Sequence, residues 1–109
     1  MHELAITQAV VDAVVGQLGD ARATAVHLRI GRVSGVETDA VRFCFDLVAA
    51  GTPVAGARLE IEEPTGTGTC DACGAEFAVE DLLLGCPCGS LDVHVTGGDE
   101  LLVTAVEVA

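Results

Sequence analysis

Four cysteines stand in two close pairs, Cys70-x2-Cys73 and Cys86-x-Cys88, with twelve residues between the pairs. Thiolates at this spacing can close on one divalent ion. Four of them complete a tetrahedral shell whose usual occupant is zinc. A complete sulfur shell leaves no open position, so the predicted role is structural. Gly74 and Gly89 follow the pairs and permit the tight turns that aim backbone N–H groups at sulfur. The second pair, Cys86-Pro87-Cys88, is one residue shorter than the first. Alternate side chains of an extended backbone still share a face, but the turn around this pair must differ. The spacing also leaves open that His94 replaces one sulfur. A zinc-ribbon adaptor or interaction module and a rubredoxin-like iron electron carrier are further readings of four thiolates.

A second set of donors stands at His2. The α-amine of Met1, the deprotonated amide of His2 and its imidazole Nδ1 can form fused chelate rings around one metal, and Glu3 can add a fourth donor through its amide or carboxylate. Such a nitrogen-rich, square-planar set suits Ni(II) and Cu(II) and does not suit zinc. Taken alone, a histidine at position two is more simply a solvated side chain.

Composition narrows the partners. The chain has 109 residues, five arginines, no lysine and seventeen carboxylates, for a formal charge of −12. Nucleic-acid binding rests on several Lys/Arg–phosphate contacts, so no nucleic acid is expected. Anionic membranes are repelled too, and no run approaches the roughly 20 apolar residues of a membrane span. A basic protein partner or a cation suits the charge. No signal peptide is apparent at the start, so a cytoplasmic location with reduced thiols is expected. The odd number of cysteines, five, also argues against a closed disulfide framework. Cys44, between Phe43 and Phe45, reads as a core thiol.

The elements that must position these groups follow from periodicity. Leu4, Val11, Val15 and Leu18 recur at helical spacing between Glu3 and Leu18. From Thr24 to Val33 the period is two: Val26, Leu28 and Ile30 face one way, His27 and Arg29 the other. Ser34 and Glu37 offer a capping box for a second helix that buries Val41, Phe45 and Val48 and ends near Ala50. Arg58 to Glu62 alternates again, and Leu101 to Val108 reads as an apolar and central strand. The predicted fold class is α+β: two helices on a three-stranded, mostly antiparallel sheet, with an inserted zinc-ribbon-like lobe. Residues 1–65 and 97–109 form the α/β domain and 66–96 the inserted zinc-binding domain. The run Pro64-Thr65-Gly66-Thr67-Gly68-Thr69 reads as a hinge into the lobe, with Gly97-Gly98 as the matching exit. No nucleophile–base arrangement is apparent, and the chain is not read as an enzyme.

Several of these segments together carry a resemblance. Met1-His2-Glu3-Leu4-Ala5 opens an amphipathic helix, and His27-Leu28-Arg29-Ile30-Gly31-Arg32-Val33 forms the following strand. A Phe-containing helix, the paired-cysteine lobe with Cys88-Gly89-Ser90, and a closing Gly98-Asp99-Glu100-Leu101 come next. In this order they resemble the HypA/HybF family of nickel-insertion accessory proteins in [NiFe]-hydrogenase maturation, over essentially the whole chain. The shortened second cysteine pair departs from the family pattern. The resemblance implies a nickel metallochaperone with His2 as nickel ligand, Glu3 as an auxiliary residue, Met1 contributing its amine, and Cys70, Cys73, Cys86 and Cys88 as zinc ligands. It implies a HypB-type GTPase as partner and the hydrogenase large subunit as client, with urease accessory proteins as further candidates.

Overall fold

The computed structural model describes residues 2–109. Two helices and six strands follow in the order α1 (His2–Leu18), β1 (Ala23–Ile30), α2 (Thr38–Ala49), β2 (Arg58–Glu62), β3 (Gly66–Cys70), β4 (Glu76–Val79), β5 (Val93–Thr96) and β6 (Leu101–Val108). They form two three-stranded sheets, ordered β2-β1-β6 and β4-β3-β5. The chain divides into two compact units. One comprises Met1–Leu28, Glu37–Ile61 and Val103–Ala109, the other Arg29–Val36 and Glu62–Leu102.

In the first unit, the expected helices and strands stand close to their predicted bounds. Its core is aliphatic apart from one ring: Val11 and Val14 from α1, Val26 and Leu28 from β1, and Val41 and Phe45 from α2. Backbone bonds flanking β1 fix its neighbours. Ala23 N–H donates to Pro53 O and Arg32 N–H to Pro64 O, so both chains run in one sense, as a strand–helix–strand crossover requires. Gly31 N–H donates to Glu100 O and Ala109 N–H to Arg22 O, so β6 runs opposite to β1. The second sheet is antiparallel at both of its pairings, and pairing across the two sheets is therefore mostly antiparallel.

Four local expectations are corrected. β6 is an edge strand, and β1 is the central one. The buried stripe of α1 is Glu3, Thr7, Val11 and Val14, while Leu4 is exposed. Thr7 tolerates burial because its hydroxyl donates to the Glu3 carbonyl at 2.7 Å. The Ser34–Glu37 capping box does not form. Glu37 is the N-cap residue of α2 and makes no side-chain cap bond, and Ser34 Oγ instead accepts the Val36 N–H at 3.2 Å. Cys44 is half-buried, so it is not a core thiol.

The second unit overturns the hinge. The Gly-Thr run is β3, the middle strand of the second sheet, paired with β4 from Gly66↔Val79 to Thr69↔Glu76 and with β5 from Thr67↔Thr96 to Cys70↔Val93. Its glycines are there for packing: a Cβ on Gly68 would meet the Phe77 ring at 2.8 Å. Neither end of the lobe is free backbone. Pro64 O accepts the Arg32 N–H at 2.9 Å, and Gly98 O accepts the Val33 N–H at 2.7 Å.

Candidate metal sites

The lobe brings the two cysteine pairs together through two unequal knuckles. In the first, Cys70 ends β3, its N–H donates to Ala75 O, and Gly74 N–H donates back to Cys70 O at 2.8 Å. In the second, Cys86 N–H donates to Ser90 O and Gly89 N–H to Cys86 O at 2.8 Å. The same closure is thus made one residue sooner, which is how the shortened pair is accommodated. Gly74 and Gly89 both have positive φ, at 76° and 98°, a region that side-chain-bearing residues rarely adopt.

The four sulfurs lie within 4.8 Å of one another. Cys70 Sγ stands 3.8 Å from Cys88 Sγ, and Cys73 Sγ 3.5 Å from Cys86 Sγ. A disulfide needs about 2.05 Å, so these are thiols, and all five cysteines of the chain are free. Tetrahedral zinc with bonds of about 2.3 Å spaces its sulfurs about 3.8 Å apart. The donor set therefore fits such an ion. The pairs interlock, since each short contact joins one knuckle to the other.

Local electrostatics prepare the first knuckle for ligation. The Cys73 N–H, helped by that of Ala72, holds the Cys70 thiol down at about 7 against the opposing effect of burial. At Cys86 the Cys88 N–H, 3.4 Å from its sulfur, also lowers the thiol. There, burial and the crowding sulfurs of Cys88, Cys73 and Cys70 outweigh it and push Cys86 up to about 12. His94 does not join the sulfurs. Its Nε2 lies 2.6 Å from Asp71 Oδ2, and the cluster contains the four cysteines alone among the described residues.

At the start of α1, His2 is exposed and Glu3 is buried. Glu3 Oε2 accepts the Glu37 N–H at 3.1 Å and lies 3.1 Å from His2 Nε2. One carboxylate thus caps the amino end of α2 from another helix and faces the imidazole. The Glu37 N–H, and next the backbone N–H of Glu3 itself, holds this carboxyl below its usual range against the effect of burial. Sequence periodicity gave no sign of this tie, because it joins helices that are distant in the chain. The Met1 amine lies outside the described residues.

His27, expected on the polar side of its strand, stands 2.6 Å from Glu107 Oε2, which Arg58 also reaches at 3.2 Å. Glu62 is bound by Arg29. Among the described residues, no helix is long and apolar enough to cross a membrane.

A family model described as hydrogenase/urease nickel incorporation, metallochaperone, matches residues 1–108. The hydrogenase maturation factor HypA of Chlorobaculum tepidum is 43% identical over 112 residues, covering 99% of each chain. That of Geobacter metallireducens is 45% identical over 109 residues, again with 99% of each covered. The solution structure of the Ni metallochaperone HypA from Helicobacter pylori shares the fold, with a TM-score of 0.61 at 23% identity over 99% of this chain and 97% of that one. With full-length relatives of this similarity and a family model spanning the helices, the sulfur cluster and the closing strand, the chain belongs to the HypA family of nickel-incorporation metallochaperones.

Proposed function

We propose that the chain carries Ni(II) at its amino end and delivers it to the [NiFe]-hydrogenase large subunit in the cytoplasm, working with a HypB-type GTPase, with urease accessory proteins as further partners. The observation that carries this reading is the contact of the exposed His2 imidazole with the buried Glu3 carboxylate. Chelation through Nδ1 needs the proton of neutral imidazole on Nε2. Glu3 Oε2, 3.1 Å from Nε2, is placed to accept that proton's hydrogen bond and to fix the ring, as carboxylates do for metal-binding histidines. Glu3 is held in turn by the Glu37 N–H. It therefore acts on the cargo through His2, and the Met1 amine and the His2 amide complete the donors.

The four cysteines hold a structural zinc in a lobe spanning 66–96, inserted into the α/β domain of 1–65 and 97–109. When bound, zinc supplies rigidity there and no reaction. Delivery follows from the placement of the imidazole donor on the exposed His2, which a partner can reach. Nickel titration of the untagged, zinc-loaded chain tests the reading. His2→Ala abolishes nickel binding with zinc content unchanged. Glu3→Ala weakens nickel binding about tenfold, the low end for removal of such a supporting carboxylate. Equal nickel affinity in His2→Ala and the parent chain removes the proposal.

A further inference from the structure

The second unit carries an apolar surface that the metal sites do not use. Leu82, Leu83 and Leu91 are 63%, 87% and 81% exposed. Single exposed leucines need no account, but neighbouring ones on a small lobe mark a contact surface. Leu82 and Leu84, two residues apart, line a groove whose other walls are Val33, Val95 and Gly97, with Asp99 at its edge. Leu91 continues the surface, reaching to 3.6 Å of where a Cβ on Gly85 would stand. The groove holds about 220 Å³. Sites for cofactor-sized molecules start at about 300 Å³, so this one suits an anchoring side chain rather than a small molecule.

Charge selects the occupant. Residues 62–102 contain nine carboxylates and neither Lys nor Arg. The two arginines of this unit are engaged: Arg29 with Glu62, and Arg32 with the Glu63 carbonyl at 3.3 Å. A zinc held by four thiolates adds two further negative charges. A second copy of a chain with formal charge −12 is repelled from such a surface, as are anionic lipids and nucleic acid.

We propose that the groove between Leu82–Leu84 and Val33–Val95 is the docking site for a cationic protein segment. The segment seats an aliphatic side chain in the groove and sets Arg or Lys against Asp99 and the carboxylates around it. The inference stands apart from the nickel reading, since it uses neither His2 nor Glu3.

The test uses the full-length, zinc-loaded, 15N-labelled chain with short synthetic peptides as probes. One contains Leu and Arg, and a control of equal charge has every Leu replaced by Gln. The Leu/Arg peptide is expected to shift the amides of Val33, Leu82, Leu84, Val95 and Gly97. Its affinity falls about tenfold with the Gln/Arg control and with the Leu82→Ser/Leu84→Ser variant, as removal of a buried anchor does. Affinity also falls as salt rises to about 0.15 M. Asp99→Asn weakens binding with both leucines in place, so the proposal stays testable if the double variant alters zinc content. His2→Ala leaves binding unchanged, which separates this surface from the nickel site. Equal affinity for the two peptides, shifts centred elsewhere, or undiminished binding by both the leucine variant and Asp99→Asn overturns the proposal. A concentration-dependent dimer in sedimentation that the leucine substitutions abolish would assign the groove to a second copy instead, and also overturns it.

Discussion

The two units of this chain keep their shape by different means. The first buries Val11, Val14, Val26, Leu28, Val41, Phe45 and Val54 in its core. In the second, the buried apolar residues are Ile30, Val79 and two cysteines, Cys70 and Cys86, while its leucines 82, 83, 84 and 91 are exposed. A segment this short cannot gather an adequate apolar core, and its four clustered sulfurs are placed to make up the difference by holding an ion. Order in one unit is thus set by water and apolar surface, and on the proposed reading order in the other is set by thiolate chemistry.

Removing the metal breaks this comparison most severely. Structural zinc contributes an apparent 10–16 kcal/mol, roughly, in small peptides. Chelation, or Cys86→Ser, is expected to erase hydrogen-exchange protection across β3, β4 and β5 while α1 and α2 keep theirs. Loss of protection in both units together would show that the contrast is false. The converse substitution is Phe45→Ala, which empties a fully enclosed site in the first unit. It costs about 3–5 kcal/mol in chemical denaturation followed by helical signal, with one zinc per chain retained. Gly68→Val sharpens the picture inside the second unit. The added methyls must displace the Phe77 ring, at about 1–3 kcal/mol for overpacking, read as a lower melting temperature of the zinc-loaded lobe.

The smallest effect is electrostatic. Hydrogen bonding to His27, and then the nearby Arg58 charge, holds the Glu107 carboxyl below its ordinary value of 4.5. A depressed folded value means that this stabilisation is fully present above 4.5 and is lost as pH falls through the lower, folded value. Melting temperatures of Glu107→Gln and the parent should therefore differ slightly near neutrality and converge in acid. A difference that grows on acidification would contradict the assignment.

The clustering of the cysteines was legible because its information is local: pair spacing and the glycines that follow it point to four sulfurs standing together. The helices and the first two strands were legible for the same reason, through unbroken periods such as Val26, Leu28 and Ile30. What failed depended on partners remote in sequence. Gly66 and Gly68 look like punctuation, yet they form a strand because β4 and β5 flank them and Phe77 occupies the space a side chain would take. Strand order was hidden because apolar content in β6 does not say which strand will stand beside β1. Leu4 fits the helical period, but Glu3 is turned inward by the Glu37 N–H, and the buried stripe follows Glu3. The exposed groove at Leu82 and Leu84 gave no signal, since its other wall comes from Val33 and Val95, remote from them in sequence.

The pairing of Thr67 with Thr96 has a kinetic consequence. β6 must find the end of β1 after a long excursion, from Gly31 to Glu100, and closing a flexible segment of that length carries a logarithmic entropy penalty. With β2 already beside β1 through the Arg32 N–H bond to Pro64 O, zipping β3 and β5 side by side brings the excursion back to its own starting point, and the effective loop shrinks to the few residues at its neck. Ion capture by the nascent lobe would then precede and hasten completion of the first sheet. On the proposed reading, an ion supplied during synthesis would shorten the time for which the open edge of β1 waits for its neighbour.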